Sequence, residues 1–281
     1  MGTGMSVDVG RNGIWLMRGH QTPEVAAEIE ERGFGAVWVG GSPPADLAVA
    51  ESLLAATEGI AVGTSIVNMW QVPAAEVAVS YHRIADRYPG RFLLGVGIGH
   101  PEADRVYASP YDTIQTYLDE LDAAKVPVEG RALAALGPKV LRVAGERTAG
   151  ALPYLTVPAH TREARGILGD GPLLAIEQKI VPSTDAARAR AVAEPTIQRY
   201  LGLVNYRRNL LRSGFTEEDL DTPTDRLVDA LALHGTTEQI ATGLKAHAAA
   251  GADHVAAQIL TSSGEVDDEF RAALRELAAA L

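Results

Sequence analysis

The feature that most limits what this chain can fold into is its rhythm: eight short strand-like runs, separated by stretches with helical periodicity. The runs fall near residues 13–16, 36–39, 60–66, 92–96, 131–135, 150–155, 173–179 and 254–260. Strand–helix alternation of this kind specifies βαβ units and a parallel sheet, because a parallel partner is reached only through a crossover. Eight such units in 281 residues match a closed (β/α)8 TIM barrel, treated as one domain over 1–281. The punctuation agrees. Thr22 is placed to cap a helix that has Pro23 in its first turn, and Arg32-Gly33-Phe34-Gly35 ends it. Further helices are expected over 46–58, 76–88 and 111–124, and Gly137-Pro138 opens another. The interval 180–253 breaks the rhythm: 184–193, 195–211 and 237–250 read as helices, with no strand signal among them. That gives a helical insertion after the seventh strand, about 180–250, on the C-terminal face where barrels keep their chemistry.

Composition excludes several classes. No apolar run approaches the length of a membrane span, and Met1 to Val9 has neither a basic segment nor an apolar core, so a cytoplasmic protein is expected. The absence of cysteine removes disulfides, thiolate catalysis and zinc–thiolate sites. A net charge of −11 argues against nucleic acid or an anionic membrane as partner.

Candidate chemistry gathers at the C-terminal ends of the strands. Arg91-Phe-Leu-Leu-Gly-Val-Gly-Ile-Gly-His100 runs from a buried strand into glycines at 95, 97 and 99, then His100. Such glycines let a backbone approach a planar or anionic group, although they would also serve a plain strand-to-loop turn. They do not form the dinucleotide fingerprint, since the third glycine comes too early and no helix follows. His100, Glu102 and Asp104 alternate like metal ligands but share one loop, so no metal site is expected. The third strand ends with Thr64, Ser65, Asn68, Trp70 and Gln71, hydrogen-bonding and stacking groups for a barrel mouth. At the fifth, Ala134-Ala135-Leu136-Gly137-Pro138-Lys139 leads straight into a helix, whose free N–H groups and nearby lysine suit a phosphate. Thr156 and His160 follow the sixth strand, with His160 read as a loop residue. Glu177 and Gln178 must face opposite sides of the seventh, so one enters the barrel and needs a partner. His82 and His254 read as structural.

Four segments in this order, Gly33-Phe-Gly-Ala-Val-Trp-Val-Gly-Gly41, Gly63-Thr-Ser-Ile-Val-Asn-Met-Trp70, the 91–100 stretch and Leu136-Gly-Pro-Lys139, resemble the luciferase-like monooxygenase superfamily, in particular its actinobacterial branch that uses the deazaflavin coenzyme F420. The resemblance implies a cofactor ring in the barrel mouth, a non-proline cis peptide at Ser65–Ile66, and contacts from Gly40, Ser65, Ile66, Ile98, Gly99 and His100. It assigns the ribityl-phosphate tail to Ala135, Leu136, Gly137, Pro138 and Lys139, and the substrate pocket to Asn68, Trp70, Gln71 and Thr156. Sugar-phosphate dehydrogenases of the family carry an acidic residue and a catalytic histidine where this chain has Gly40 and Gly41, so their acid/base roles do not transfer. The resulting expectation is an F420-dependent oxidoreductase, moving hydride between cofactor C5 and a small organic substrate, with His100 as catalytic group and a homodimer as assembly. The alternatives are an FMN-dependent monooxygenase served by a partner reductase, or a barrel that binds flavin or deazaflavin without turnover.

Overall fold

The computed structural model describes residues 6–99 and 109–281. In chain order its elements are β1 (Asn12–Leu16), α1 (Pro23–Glu31), β2 (Ala36–Val39), α2 (Ala48–Ala55), β3 (Ala61–Thr64), β4 (Val67–Asn68), α3 (Ala74–Arg87), β5 (Phe92–Gly97), α4 (Pro110–Ala123), β6 (Arg131–Leu133), α5 (Pro138–Arg147), β7 (Gly150–Ala151), α6 (Pro158–Leu168), β8 (Leu173–Val181), α7 (Ala186–Leu201), α8 (Val204–Arg212), α9 (Glu217–Asp221), α10 (Asp225–Leu231), β9 (Ala232–His234), α11 (Thr237–Ala249), β10 (His254–Ile259) and α12 (Asp268–Ala280). The strands pair in parallel in the order β1-β2-β3-β5-β6-β7-β8-β10, and β10 returns to β1, closing the expected eight-stranded barrel. Strand faces sort the side chains. Trp15, Trp38, Leu93, Leu152 and Ala175 fill the interior, while Ile14, Val37, Val62, Leu94 and Ile176 pack outward under the helices.

Two strands depart from the expected count. The two-residue β4 pairs with the end of β5, Val67 opposite Val96. The three-residue β9 lies inside the interval expected to hold only helices, and pairs with β8 through Lys179–Ala232 and Val181–His234. Its cause is geometric: β7 covers only Leu173 and Leu174 of that edge of β8, and β9 covers the far end. The expected break at Pro195 is also corrected, since α7 runs through it to Leu201, with Gly202 as its C-cap. The helix tolerates the missing N–H because its buried stripe, Ala189, Ala193, Ile197 and Leu201, continues across that position. Helices α7 to α10 build a separate apolar cluster around Leu210, Leu220, Leu227 and Leu231.

His254 is structural, as expected: it is fully buried, accepts the indole N–H of Trp38 at 2.9 Å and faces Gly10 O at 2.9 Å. His247 on α11 is buried between Thr161 Oγ1 at 2.7 Å and Gln178 Oε1 at 2.8 Å. Each ring has one nitrogen that accepts and one that donates, so both are neutral, and burial pushes both down to about 4. The unfolded chain therefore binds more protons than the folded one between about pH 6.5 and 4, and stability falls as pH drops through that window. We expect a loss of about 2 kcal/mol per histidine on going from pH 7 to 5. Urea midpoints at pH 7, 6 and 5 check it, and a flat profile would contradict the neutral buried pair.

Candidate functional site

The C-terminal ends of the strands surround a cavity of about 640 Å³. One arc of its wall comes from β3, β5 and β6. Here the Ser65–Ile66 peptide is cis, as the resemblance implied, and Ser65, Ile66, Asn68, Ile98 and Gly99 line the cavity. Gly99 has φ +65°, and a Cβ there would collide with the Asn68 amide, so the strand end closes on Asn68 only with glycine. Ala135, Leu136, Gly137 and Lys139 continue the arc. Gly137 is the N-cap of α5, with no side-chain cap and open space where its Cβ would be, so first-turn N–H groups face that end unpaired by any cap. Leu136 O is held from behind by His160 Nε2 at 2.9 Å and Arg212 Nη2 at 3.4 Å.

The other arc is aromatic and was largely invisible in the sequence. Trp15 of β1 and Tyr154 beyond β7 meet with ring centroids 5.5 Å apart. Tyr200 and Tyr206, from the α7–α8 corner, stand edge-on to Tyr154 at 5.1 and 6.2 Å. All four rings line the cavity, with Met17, Leu152 and, towards solvent, Arg199. Beneath them Glu177 and Lys179 share the inward face of β8, the Lys179 ammonium 3.0 and 3.1 Å from the two carboxylate oxygens. Burial pushes Glu177 up and Lys179 down, each opposed by its partner. The ammonium also sits 3.9 Å from the Tyr154 ring centroid, and Tyr154 donates to Gln258 Oε1 at 3.1 Å. Glu177 is thus the residue that enters the barrel, while Gln178 faces outward to His247. An acidic and a basic residue two apart in a buried strand was the available signal for this pair.

Several expected site residues lie elsewhere. Gly40 does not line the cavity: a Cβ there would collide with the Trp15 ring, so glycine makes room for the indole. Pro138 occupies the first turn of α5 behind the wall. Trp70 and the exposed Gln71 follow β4 away from the cavity, with Trp70 N bonded to Asn68 Oδ1 at 2.9 Å. Thr156 is buried off the wall and its hydroxyl has no partner among the described residues. His160 is not a solvated loop residue, since Pro158 starts α6 and buries it. His100, with Glu102 and Asp104, lies outside the described residues. Among the described lining residues the charged ones are Lys139 and Arg199, both cationic.

Comparison with known proteins follows the same lines. The family model described as luciferase-like monooxygenase matches residues 3–123. No curated protein matches the sequence. Among solved structures, an F420-dependent secondary alcohol dehydrogenase in complex with an F420–acetone adduct is similar at TM-score 0.76 and 14% identity, with 98% of each chain covered. The coenzyme F420-dependent tetrahydromethanopterin reductase of Methanopyrus kandleri is similar at TM-score 0.66 and 16% identity, covering 98% of this chain and 99% of that one. The FMN complex of the oxygenating constituent of 3,6-diketocamphane monooxygenase from Pseudomonas putida is similar at TM-score 0.69 and 13% identity, covering 96% and 97%. These likenesses establish the barrel fold across the whole chain, and over residues 3–123 the chain is similar to the luciferase-like monooxygenase family.

Proposed function

We propose that the chain is an F420-dependent oxidoreductase acting on a small organic substrate. The observation that carries the reading is the uncapped N-terminus of α5 beside Lys139, opening on the same cavity as the β3 and β5 strand ends. A planar ring bearing an anionic tail fits that wall: the space beyond Gly137 is open, the N–H groups carry partial positive charge, and no carboxylate lines the cavity among the described residues. Ala135 to Lys139 would hold the phosphate, and Ser65, Ile66, Ile98 and Gly99 the ring. Bound there, a deazaflavin supplies hydride chemistry at C5. The protein's part is to hold, orient and exclude water, and His100 is proposed to orient the substrate or move a proton. The four strand-end motifs favour F420, and FMN with a partner reductase is the second reading, since similar barrels bind either group. A homodimer, a cytoplasmic location and a single barrel unit over 1–281 belong to the same proposal. No helix among the described residues is long and apolar enough to cross a membrane.

The test is a parallel fluorescence titration with F420 and FMN, followed by a turnover screen of the parent and His100→Ala. We expect F420 to bind more tightly and His100→Ala to turn over more slowly. Preference for FMN moves the protein to the monooxygenase reading, binding of neither removes the cofactor assignment, and parental turnover by His100→Ala removes the role of His100.

A further inference from the structure

The aromatic arc has no part in holding the cofactor in the reading above, on which this inference rests. It is nonetheless built with care. Trp15, Tyr154, Tyr200 and Tyr206 form one connected set of rings, each centroid 5.1 to 6.2 Å from a neighbour in the set. They come from β1, the segment after β7 and the α7–α8 corner, facing the β3–β5–β6 arc across the cavity. The Trp15 indole stands where a side chain at position 40 would stand, because Gly40 leaves that space. The charges beneath the rings are already spent on each other: Lys179 and Glu177 are 0% and 4% exposed and paired at 3.0 Å. Among the described residues a bound molecule therefore meets aromatic rings on this side and neither a free ammonium nor a free carboxylate. Among the described residues the cations on the cavity wall are Lys139, at the α5 end, and Arg199, which is exposed at the solvent edge of the aromatic arc.

We propose that this arc is the substrate subsite and that the substrate class is an uncharged, planar, unsaturated or aromatic ring compound. Lys179 is a positioning residue for it. Locked by Glu177, its ammonium holds the Tyr154 ring from one face at 3.9 Å and reaches the Tyr200 ring at 5.8 Å, which fixes the surface on which the substrate stacks. Stacking on such a surface adds to what area burial alone gives, so planarity is selected over size.

The experiment uses calorimetric titration of the protein saturated with F420, with naphthol, its saturated analogue decalol, and glucose 6-phosphate as probes. Naphthol is expected to bind about tenfold more tightly than decalol, with glucose 6-phosphate the weakest. Tyr200→Leu and the double variant Glu177→Gln/Lys179→Met are expected to weaken naphthol about tenfold and to leave F420 affinity at the parental value. A merely structural role for Lys179 would lower both affinities together, and that result overturns its positioning role. Equal affinity for naphthol and decalol, tightest binding of the sugar phosphate, or displacement of naphthol by F420 overturns the subsite. If neither F420 nor FMN binds, the same titrations on the protein alone decide the question. Naphthol selectivity there upholds the subsite while the cofactor reading falls.

Discussion

Gly137→Asp is expected to raise the dissociation constant for F420 by about 10- to 100-fold while leaving the fold as stable as the parent or slightly more so. The two effects have opposite signs for one reason. Gly137 has extended N-cap geometry, φ −86° and ψ 154°, and no side chain to accept from the first-turn N–H groups of α5. Aspartate is among the best residues for that position, so the helix itself gains a few tenths of a kcal/mol or more. A Cβ at 137 meets nothing within 4 Å, so the substitution adds no clash. The carboxylate then takes up the donors proposed for the cofactor phosphate and repels it. Hydrogen bonds to a charged group are worth about 1.5–3 kcal/mol each, and loss of one gives the stated range. A fluorescence titration beside a urea unfolding curve measures both. Unchanged F420 affinity with the helix capped would show that the phosphate does not use this end of α5. A clear fall in stability would show that the N-cap argument itself is wrong.

What was legible in the sequence was local. A strand–helix unit announces itself through a buried run, a cap and a glycine turn within about thirty residues, and all eight barrel strands were found that way. The β6–α5 turn belongs to this class, because Gly137 and Pro138 are consecutive and their geometry follows from neighbours in the chain. The aromatic arc was not legible. Trp15, Tyr154, Tyr200 and Tyr206 are far apart in sequence, and only barrel closure and the packing of α7 and α8 bring them together. Gly40 shows how a local reading goes astray: the glycine marked a missing side chain, but its consequence is Trp15, a residue from another strand that takes the space. β9 was missed for a related reason, since three residues carry no periodicity and their strand exists only because β7 stops early. His160 was misjudged because Pro158, two residues before it, was not read as the start of a helix.

The other large effect is on stability. Lys179→Ala is expected to cost about 3–5 kcal/mol, because it leaves the Glu177 carboxylate 4% exposed with no cation to face it. The fully buried Lys179 ammonium donates to both Glu177 oxygens, so its removal takes away hydrogen bonds as well as the opposing charge. The pair as a whole need not be strongly stabilising, since taking both charges out of water costs nearly what their attraction returns. Glu177→Gln/Lys179→Met is therefore expected to lie within about 2 kcal/mol of the parent, the amide oxygen still accepting from Leu155 N–H as Glu177 does at 3.3 Å. The single variant should also show a pH dependence of its own. Burial already pushes Glu177 above the ordinary carboxylate range, and without Lys179 only the Leu155 N–H opposes that push. A folded-state pKa raised above the unfolded value gives stability that is present at low pH and lost as pH rises through the raised value, so the deficit of Lys179→Ala should be largest near pH 7 and shrink towards pH 5. Urea midpoints of parent, single and double variants at both pH values provide the comparison. If the single variant were no less stable than the double at pH 7, Glu177 would have to be reached by water or by another cation, and the buried pair would not be the closed unit the geometry describes.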